Sequence, residues 1–228
     1  MRRIQKAEEP PSLKKYREQL SVPPPKGAWE SFTSINDARE AVTKEQRQLC
    51  AFCQGRMAWK KTSMKLAHIV PQSGSDDGAR LRLTWSNIVG ACLGGAGPDV
   101  PKVRPKLMHC DSLQGDTRLV PQLDPVQFVN GSLYYNSDGE IHSRDPAVET
   151  QLEHVLGLNR KPVLRKRIDA LAGEDGIRNV LRSSPDPEQK RQELIALLDP
   201  DNPSDEQLPE YADFLLWHLR YGDLAQSL

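Results

Sequence analysis

Apolar positions recur at a helical period through the back half of the chain. After residue 145 they return every three or four positions, which is the spacing of an amphipathic helix. Glycines and prolines separate these stretches and mark their ends. We therefore predict a set of helices over Ala147–Leu156, Pro162–Leu171, Pro187–Leu198 and Leu208–Leu224.

In the front half of the chain, prolines and glycines interrupt the predicted helices and strands more often. Prolines break up the first 30 residues, so we expect an extended arm with one short helix near Leu13–Leu20. A longer helix is predicted over Ser34–Leu49, and strand-like runs follow at Leu66–Val70 and Leu81–Thr84. Residues 50–120 are otherwise expected to be rich in loops.

A β hairpin is predicted between these two halves. Leu133–Tyr135 and Glu140–Ile141 flank Asn-Ser-Asp-Gly, a sequence typical of a tight turn. The elements together predict an α+β protein with three parts. These are an N-terminal arm and helix that contact a partner (residues 1–44), a loop-rich core (45–125), and a hairpin with a mostly helical C-terminal region (126–228).

Charge is distributed unevenly along the chain. The 31 basic and 31 acidic side chains cancel overall, but residues 1–44 carry +3, residues 45–120 carry +5 and residues 121–228 carry −8. A basic region attracts nucleic-acid phosphates through counterion release, whatever the rest of the molecule carries. Ordinary variation of surface charge is the alternative.

The sequence gives no sign of membrane insertion. No stretch approaches the ~20 apolar residues that cross a bilayer. The basic residues at the N-terminus are not followed by the apolar run of a secretory signal. We expect a cytoplasmic protein.

Four cysteines fall within one window of 61 residues: Cys50, Cys53, Cys92 and Cys110. Zinc takes four ligands in a tetrahedron, and a Cys-x-x-Cys turn can supply two of them. The glycine-rich stretch 90–97 would let the chain fold back and deliver the other two. We predict a structural Zn²⁺ held by all four thiols. Unrelated buried thiols, a redox pair and disulfides are the alternatives, and no βαβ pattern supports the redox reading.

Histidine, asparagine and aspartate residues lie between and after these cysteines in a characteristic order. A lone histidine beside apolar residues is usually a hydrogen-bonded core residue, but here it belongs to a series. The series is Cys50-x-x-Cys53, His68-Ile-x-Pro, Trp85-x-Asn87-Ile, Cys92, His109-Cys110-Asp111 and Gly115-Asp116. This order resembles the HNH endonuclease family, whose ββα-metal fold places a histidine on a strand and an asparagine in the connecting loop. A third polar residue lies on the following helix.

The resemblance is more specific within that family. The sequence resembles the PtuB-type nuclease subunits of Septu and retron-linked anti-phage defence systems over roughly residues 1–170. The matching text is Met1-Arg2-Arg3-Ile4, Pro11-Ser12-Leu13, Tyr16, Glu45-Gln46, Leu49–Cys53, His109-Cys110-Asp111, Gln114-Gly115-Asp116, Leu156-Gly157-Leu158-Asn159 and Leu164–Arg167.

The resemblance implies roles for individual residues in phosphodiester hydrolysis. His68 would be the general base, and Asn87 would orient it and stiffen the loop. His109 would act as a catalytic residue by binding the catalytic metal together with Asp111. Asp111 and Asp116 would hold a catalytic Mg²⁺ or another divalent cation. The basic side chains proposed to contact phosphate are Lys65, Arg80, Arg82 and Arg118, each of which could instead be a solvated surface charge.

Two positions depart from the family pattern. Many HNH nucleases carry an acidic residue or histidine just before the base histidine, where it often binds the metal, and here that position is Ala67. The position after the last cysteine is commonly histidine or asparagine, and here it is Asp111. The metal site would then depend on Asp111 with His109 or Asp116 compensating, or on a partner that completes it.

The resemblance also implies partners. An ABC/SMC-like ATPase subunit of the PtuA type would license cleavage, and a reverse transcriptase with its noncoding RNA/DNA would join in retron-linked systems. This chain shows no ATP-binding loop, because its glycine-rich stretch lacks the Gly-Lys-Ser/Thr ending. The aromatic-rich stretch from Tyr211 to Tyr221 is either a partner anchor or part of its own core.

The substrate and two other classes of function stay open at this point. DNA is the family default, whereas some retron-linked relatives are associated with tRNA cleavage. A zinc-stabilised nucleic-acid-binding or assembly subunit without catalysis is the main alternative, and Ala67 motivates it. A Cys-x-x-Cys oxidoreductase would instead need a low-pKa thiol and no zinc.

Overall fold

The computed structural model describes residues 1–60, 62–73, 75–96, 104–202 and 207–226. Gly97, at the end of the predicted glycine-rich turn, lies outside these ranges. The architecture is mixed α+β and mostly helical. No helix in the described ranges has the length and hydropathy to cross a bilayer.

Two helices precede the cysteines. Helix α1 covers Pro11–Glu18 and starts with proline in its first turn, where the missing N–H has no helical partner to lose. Helix α2 covers Ile35–Glu45. Both predicted helices are therefore confirmed, but α2 ends four residues early because Arg47 and Gln48 take positive φ angles of 49° and 65°.

The central sheet is a two-stranded antiparallel ladder. Strand β1 covers Met64–His68 and strand β2 covers Ile88–Cys92. The register pairs Met64 with Cys92 at one end and His68 with Ile88 at the other. The ladder thus carries a cysteine at one end and the predicted base histidine at the opposite end.

The segment between the two strands is helical rather than extended. Helix α3 covers Asp76–Leu81, and Ser75 caps it by accepting a hydrogen bond from the N–H of Gly78 at 3.0 Å. A Cβ at Gly78 would lie 2.0 Å from the carbonyl oxygen of Pro71, so glycine is required there. The predicted strand at Leu81–Thr84 is wrong: Leu81 is the last residue of α3, and the buried Leu83 lies in the turn that leads to a 3₁₀ turn at Trp85–Asn87.

The back of the chain follows the helical prediction closely. After the short helix α4 at Asp111–Gln114, strands β3 and β4 form the predicted hairpin, with Gly139 at a φ of 81° in its turn. The remaining elements are β3 Tyr134–Tyr135, β4 Ile141–His142, α5 Pro146–His154, α6 Lys161–Ala172, α7 Ile177–Arg182, α8 Pro187–Leu198, α9 Ala212–Arg220 and α10 Asp223–Gln226. Helix α7 was not predicted. The predicted Leu208–Leu224 helix is shorter, since Tyr211 has a φ of 59° and starts α9 late.

Contacts join the three predicted parts of the chain. The N–H of Ile4 donates to the carbonyl of Pro125 at 2.8 Å, and the N–H of Tyr211 donates to the carbonyl of Gln54 at 2.9 Å. Helix α9 buries Phe214 against the hairpin residue Tyr135, with ring centroids 5.3 Å apart. Most of the aromatic stretch therefore packs on its own chain.

Candidate active site and metal centre

The four cysteines converge into one cluster. Their Sγ atoms all lie within 4.8 Å of one another, with 3.8 Å between Cys50 and Cys110 and 3.7 Å between Cys53 and Cys92. A tetrahedron with Zn–S bonds of about 2.3 Å has S–S edges of about 3.8 Å, so these distances fit a zinc ion. A disulfide would need about 2.05 Å. All four are free thiols, and the cluster is suited to a structural Zn²⁺.

Backbone turns present the thiols to one point. In the first turn, the N–H of Cys50 donates to the carbonyl of Gly55 at 2.9 Å, while Gln54 has a φ of 65°. In the second half-site, Cys110 has a φ of 56°, and its N–H donates to the carbonyl of Leu156 at 2.8 Å. A positive φ is costly for a residue with a Cβ and persists only where its surroundings hold it. The loop after α5 therefore helps to fix the last thiol.

Gln46 connects the end of α2 to strand β2. Its side-chain nitrogen donates to the carbonyls of Leu49 and Gly90 at 2.8 and 2.9 Å, and its oxygen accepts from the N–H of Gly90 at 2.6 Å. The N–H of Ala51 also donates to the carbonyl of Gly90, at 3.0 Å. These bonds hold the first cysteine turn against β2. Glu45 next to it accepts from Lys6 and Trp85, at 2.7 and 2.9 Å.

Electrostatics within the cluster favour a thiolate. Burial opposes ionisation of Cys50, but hydrogen bonds from the thiols of Cys110, Cys53 and Cys92 hold its pKa well below the usual thiol value. Burial and the neighbouring thiols hold the pKa of Cys110 well above the usual thiol value. The pKa of Cys92 is raised as well, because the lowering by its hydrogen bond with Cys110 is outweighed by its hydrogen bonds with Cys50 and Cys53. The cluster therefore favours a thiolate at Cys50, and a bound cation would displace the protons of Cys92 and Cys110 because the ionised thiol is the form that binds metal.

His109 lies beside this cluster. Its Nδ1 is 3.2 Å from the Sγ of Cys110 and 3.9 Å from that of Cys92. Burial lowers the pKa of His109, which favours a neutral imidazole next to the thiols. The structure thus places His109 at the metal centre, and it does not line the cleft that contains His68.

His68 is held in a defined orientation at the end of β1. Its Nε2 is 2.9 Å from the carbonyl oxygen of Arg82, and its Nδ1 is 3.3 Å from the side-chain nitrogen of Gln72. A carbonyl only accepts, so Nε2 carries the proton and Nδ1 carries the lone pair. Burial lowers the pKa of His68, so the ring is neutral at pH 7. A general base requires a neutral imidazole with one unprotonated ring nitrogen, and here that nitrogen is Nδ1, which accepts the 3.3 Å hydrogen bond from Gln72.

Asn87 fixes the loop that follows His68. Its side-chain oxygen accepts from the N–H of Val70 at 2.8 Å, and its nitrogen donates to the carbonyls of Val70 and Leu81 at 3.1 and 3.2 Å. The side chain is buried, with 4% of the residue exposed. These bonds stiffen the loop, as expected, and no hydrogen bond described for Asn87 reaches the His68 ring.

His68 and the two predicted acidic ligands line one cleft of about 610 Å³. Asp111 lies at the start of α4, where its carboxylate is 3.5 Å from the Nζ of Lys65. Burial raises the pKa of Asp111, and Lys65 opposes that shift. Asp116 accepts a hydrogen bond from Ser73 at 2.6 Å. The fold therefore brings His68, Asp111 and Asp116 to one cavity.

The cleft offers a divalent cation two carboxylates, those of Asp111 and Asp116. Within the described ranges, only the cysteines form a group of three or more ligand side chains within 4.8 Å. Mg²⁺ keeps several waters and needs only one or two carboxylates plus substrate phosphate, so Asp111 and Asp116 fit its chemistry. Ala67 is buried and adds no ligand.

The four basic residues expected to contact phosphate differ in placement. Arg82 is buried and donates to the carbonyls of Pro24 and Gln72 at 2.6 and 3.4 Å, so it is a structural clamp. Arg118 pairs with Asp77 at the surface at 3.2 Å, and Arg80 is exposed on α3. Lys65 is held by Asp111 and by Ser112, whose Oγ lies 2.7 Å from its Nζ.

The N-terminal arm contributes residues that sequence reasoning missed. Lys26 and Glu30 line the cleft, and Trp29 packs edge-on against His68 with ring centroids 5.0 Å apart. Gln72, four residues after the histidine, also borders the ring. A tryptophan just after a proline-rich segment was the available signal for the arm.

Comparison with known proteins links the chain to a retron-associated protein. No family model matches the chain. The chain is distantly homologous to an Escherichia coli protein described as "Retron Ec83 putative HNH endonuclease", with 28% identity over 120 residues. The match covers 49% of this chain and 45% of that protein, so the chain spans about half the length of its curated relative.

Proposed function

We propose that this protein is a metal-dependent HNH endonuclease with a zinc-knotted ββα-metal core, in which β1, β2 and α4 carry the reaction. One observation carries the proposal. At the end of β1, in the two-stranded β1–β2 sheet, the neutral and hydrogen-bonded His68 lies in the same cleft as the carboxylates of Asp111 and Asp116. The similarity to the retron-associated protein supports the same class of enzyme.

The chain's own residues would divide the chemistry as follows. The Nδ1 lone pair of His68 takes a proton from the attacking water, while the carbonyl of Arg82 keeps the ring in the required tautomer. Asn87 holds the following loop so that the ring keeps its position. His109, next to the thiols, supports the zinc centre rather than the proton transfer.

Asp111 and Asp116 would hold the catalytic Mg²⁺ or another divalent cation. When bound, such an ion neutralises the charge that develops on the phosphate and on the leaving oxygen. Lys65 opposes the rise in the Asp111 pKa that burial causes, and it orients the carboxylate through their 3.5 Å ion pair.

We further propose that the enzyme is the effector subunit of an anti-phage defence complex. The retron association of the similar protein supports this setting, as does the resemblance to PtuB-type subunits. The proposed partners are an ABC/SMC-like ATPase of the PtuA type and, in a retron-linked system, a reverse transcriptase with its noncoding RNA/DNA. The substrate would be DNA, or tRNA in the retron-linked case.

A histidine substitution tests the proposal directly. His68→Ala should abolish cleavage of plasmid DNA or tRNA and abolish phage protection when the chain is co-expressed with its neighbouring genes. His154→Ala is the matched control, because His154 is exposed on α5 and lies outside the cleft. Full activity in His68→Ala would remove this residue from the mechanism.

A non-catalytic zinc-stabilised binding subunit is the second candidate. Ala67 lacks a ligand at a usual metal position, and Lys65 already occupies one side of Asp111. This function predicts that His68→Ala still binds nucleic acid and still protects cells. The two candidates therefore make opposite predictions for the same variant.

A further inference from the structure

The imidazole of His68 has contacts from outside the β1–β2 sheet as well as from the loop that follows β1. Arg82 bonds to one ring nitrogen and Gln72 borders the other. The ring of Trp29 also contacts the imidazole, at an interplanar angle of 87° with centroids 5.0 Å apart. Trp29 belongs to the N-terminal arm, outside the predicted nuclease core.

Arg82 connects this arm to the histidine. Its guanidinium donates to the carbonyl of Pro24 on the arm at 2.6 Å and to the carbonyl of Gln72 on the loop after β1 at 3.4 Å. Its own backbone carbonyl accepts from the imidazole. One buried residue therefore joins the arm, the loop and the ring of His68.

The turn that carries Trp29 is itself rigidly supported. The hydroxyl of Tyr16 donates to the carbonyl of Ala28 at 2.9 Å, and the N–H of Phe32 donates to the carbonyl of Trp29 at 3.2 Å. The ring of Phe32 packs against Trp29 and Tyr16, with centroids 6.0 and 5.4 Å away. The indole is thus presented to His68 from a fixed platform.

We propose that Trp29 is a positioning residue for His68, so that the arm before α2 forms part of the active site; this rests on the function proposed above. A flat ring set perpendicular to the imidazole restricts rotation about the histidine side-chain bonds. It also covers the ring from water. Displacement of a reacting group by about 1 Å can cost about 100-fold in rate, so such a restraint has a measurable effect.

Replacing Trp29 should change the pKa of His68, which depends on burial and on nearby charged groups. Glu30 on the arm and Arg82 act on His68 in opposite directions, and burial is the largest influence on its pKa. Removing the indole opens the ring to water. The pKa of His68 should then rise toward the ordinary value of about 6.5.

The test uses the full chain and bis(4-nitrophenyl) phosphate with Mg²⁺, a phosphodiester whose cleavage needs no sequence recognition. In Trp29→Ala we expect kcat to fall at least about tenfold while KM stays within about twofold, with the acid limb of the pH profile moved to higher pH. Trp29→Phe retains a flat ring and should recover most of kcat. Trp59→Ala is the control, since Trp59 is 48% exposed and lies outside the cleft.

A second readout separates this proposal from the proposed function. Imidazole ¹⁵N chemical shifts report the tautomer and pKa of His68 whether or not the protein cleaves the probe. If wild type and His68→Ala are equally inactive, the proposed function fails, and a shifted His68 spectrum in Trp29→Phe and Trp29→Ala still supports the contact. An unchanged kcat and His68 spectrum in Trp29→Ala would overturn the proposal. So would an equal loss of kcat in Trp29→Ala and Trp29→Phe that merely follows a loss of melting temperature.

Discussion

Replacing Cys110 by serine gives the most direct test of the metal centre. Serine keeps nearly the same size and the same backbone conformation, including the φ of 56°, but a hydroxyl is a poor zinc ligand. One of four thiols within 4.8 Å of one another is lost. The zinc should then dissociate or bind far more weakly.

The magnitude follows from the segment that the zinc closes. Cys50 and Cys110 bound a stretch of 61 residues. Treating the metal as a cross-link across a loop of that length, the chain-entropy relation gives about 4 kcal/mol of stabilisation. At about 2–4 °C per kcal/mol for a chain of this size, Cys110→Ser should melt roughly 10 °C lower.

The assay pairs metal analysis with thermal unfolding. Wild type should carry one zinc per chain, and Cys110→Ser should carry little. His109→Ala is the matched control, because its Nδ1 lies 3.2 Å from the Cys110 sulfur yet four thiols already complete the tetrahedron. It should keep its zinc. Cys110→Ser that retains a full zinc and the wild-type melting temperature would refute the assignment, and zinc loss in His109→Ala would add His109 to the ligands.

The remaining predictions concern the frame and the base. Asn87→Ala removes three buried hydrogen bonds to the loop after β1 and the end of α3, so urea unfolding should show a loss of about 2–3 kcal/mol. Gln46→Met leaves the N–H of Gly90 buried without its partner and should cost about 2 kcal/mol, whereas the exposed Gln19→Met should change stability by less than about 0.5 kcal/mol. Because burial lowers the pKa of His68, the neutral base persists below pH ~6.5, and kcat/KM should hold level down past that pH before it falls. A rate already halved at pH 6.5 or above would contradict a buried base.

The helices could be predicted because their apolar spacing matches one buried face. Helix α5, predicted over Ala147–Leu156, buries Val148 and Leu152, which are four residues apart. Helix α8 begins and ends at the predicted residues, Pro187 and Leu198, although Leu198 is its only buried residue. Strand β2 was missed for the opposite reason. Its first four residues are buried on both faces, so no alternation of polar and apolar positions marks it. Gly90 within it also weakens any strand signal, although its small size lets Met57 and Val42 pack closely.

The part of the candidate site that could be predicted is the part marked by the spacing of its residues along the sequence. The pair Cys50 and Cys53, with two later cysteines, predicted a cluster that the fold assembles. Trp29 was the only sequence signal for the part played by the arm, and the contact that joins the arm to the site was not predictable, since Arg82 reaches it through the backbone carbonyl of Pro24. A carbonyl is present at every residue and leaves no trace in the sequence. Tertiary contacts of this kind can be found only in a structure.

The positions of the thiols explain how a structural metal bears on catalysis. Cys92 ends the strand that pairs with β1, and the five-residue ladder sets His68 about 13 Å from that end. Cys110 immediately precedes α4, so Asp111 is one residue from a cysteine of the proposed zinc site. A zinc ion bound by the four thiols would therefore position both the proposed base and the proposed metal ligand, through elements that begin or end next to a cysteine. Loss of zinc should therefore let Asp111 move relative to His68, and cleavage should fall although neither side chain is altered.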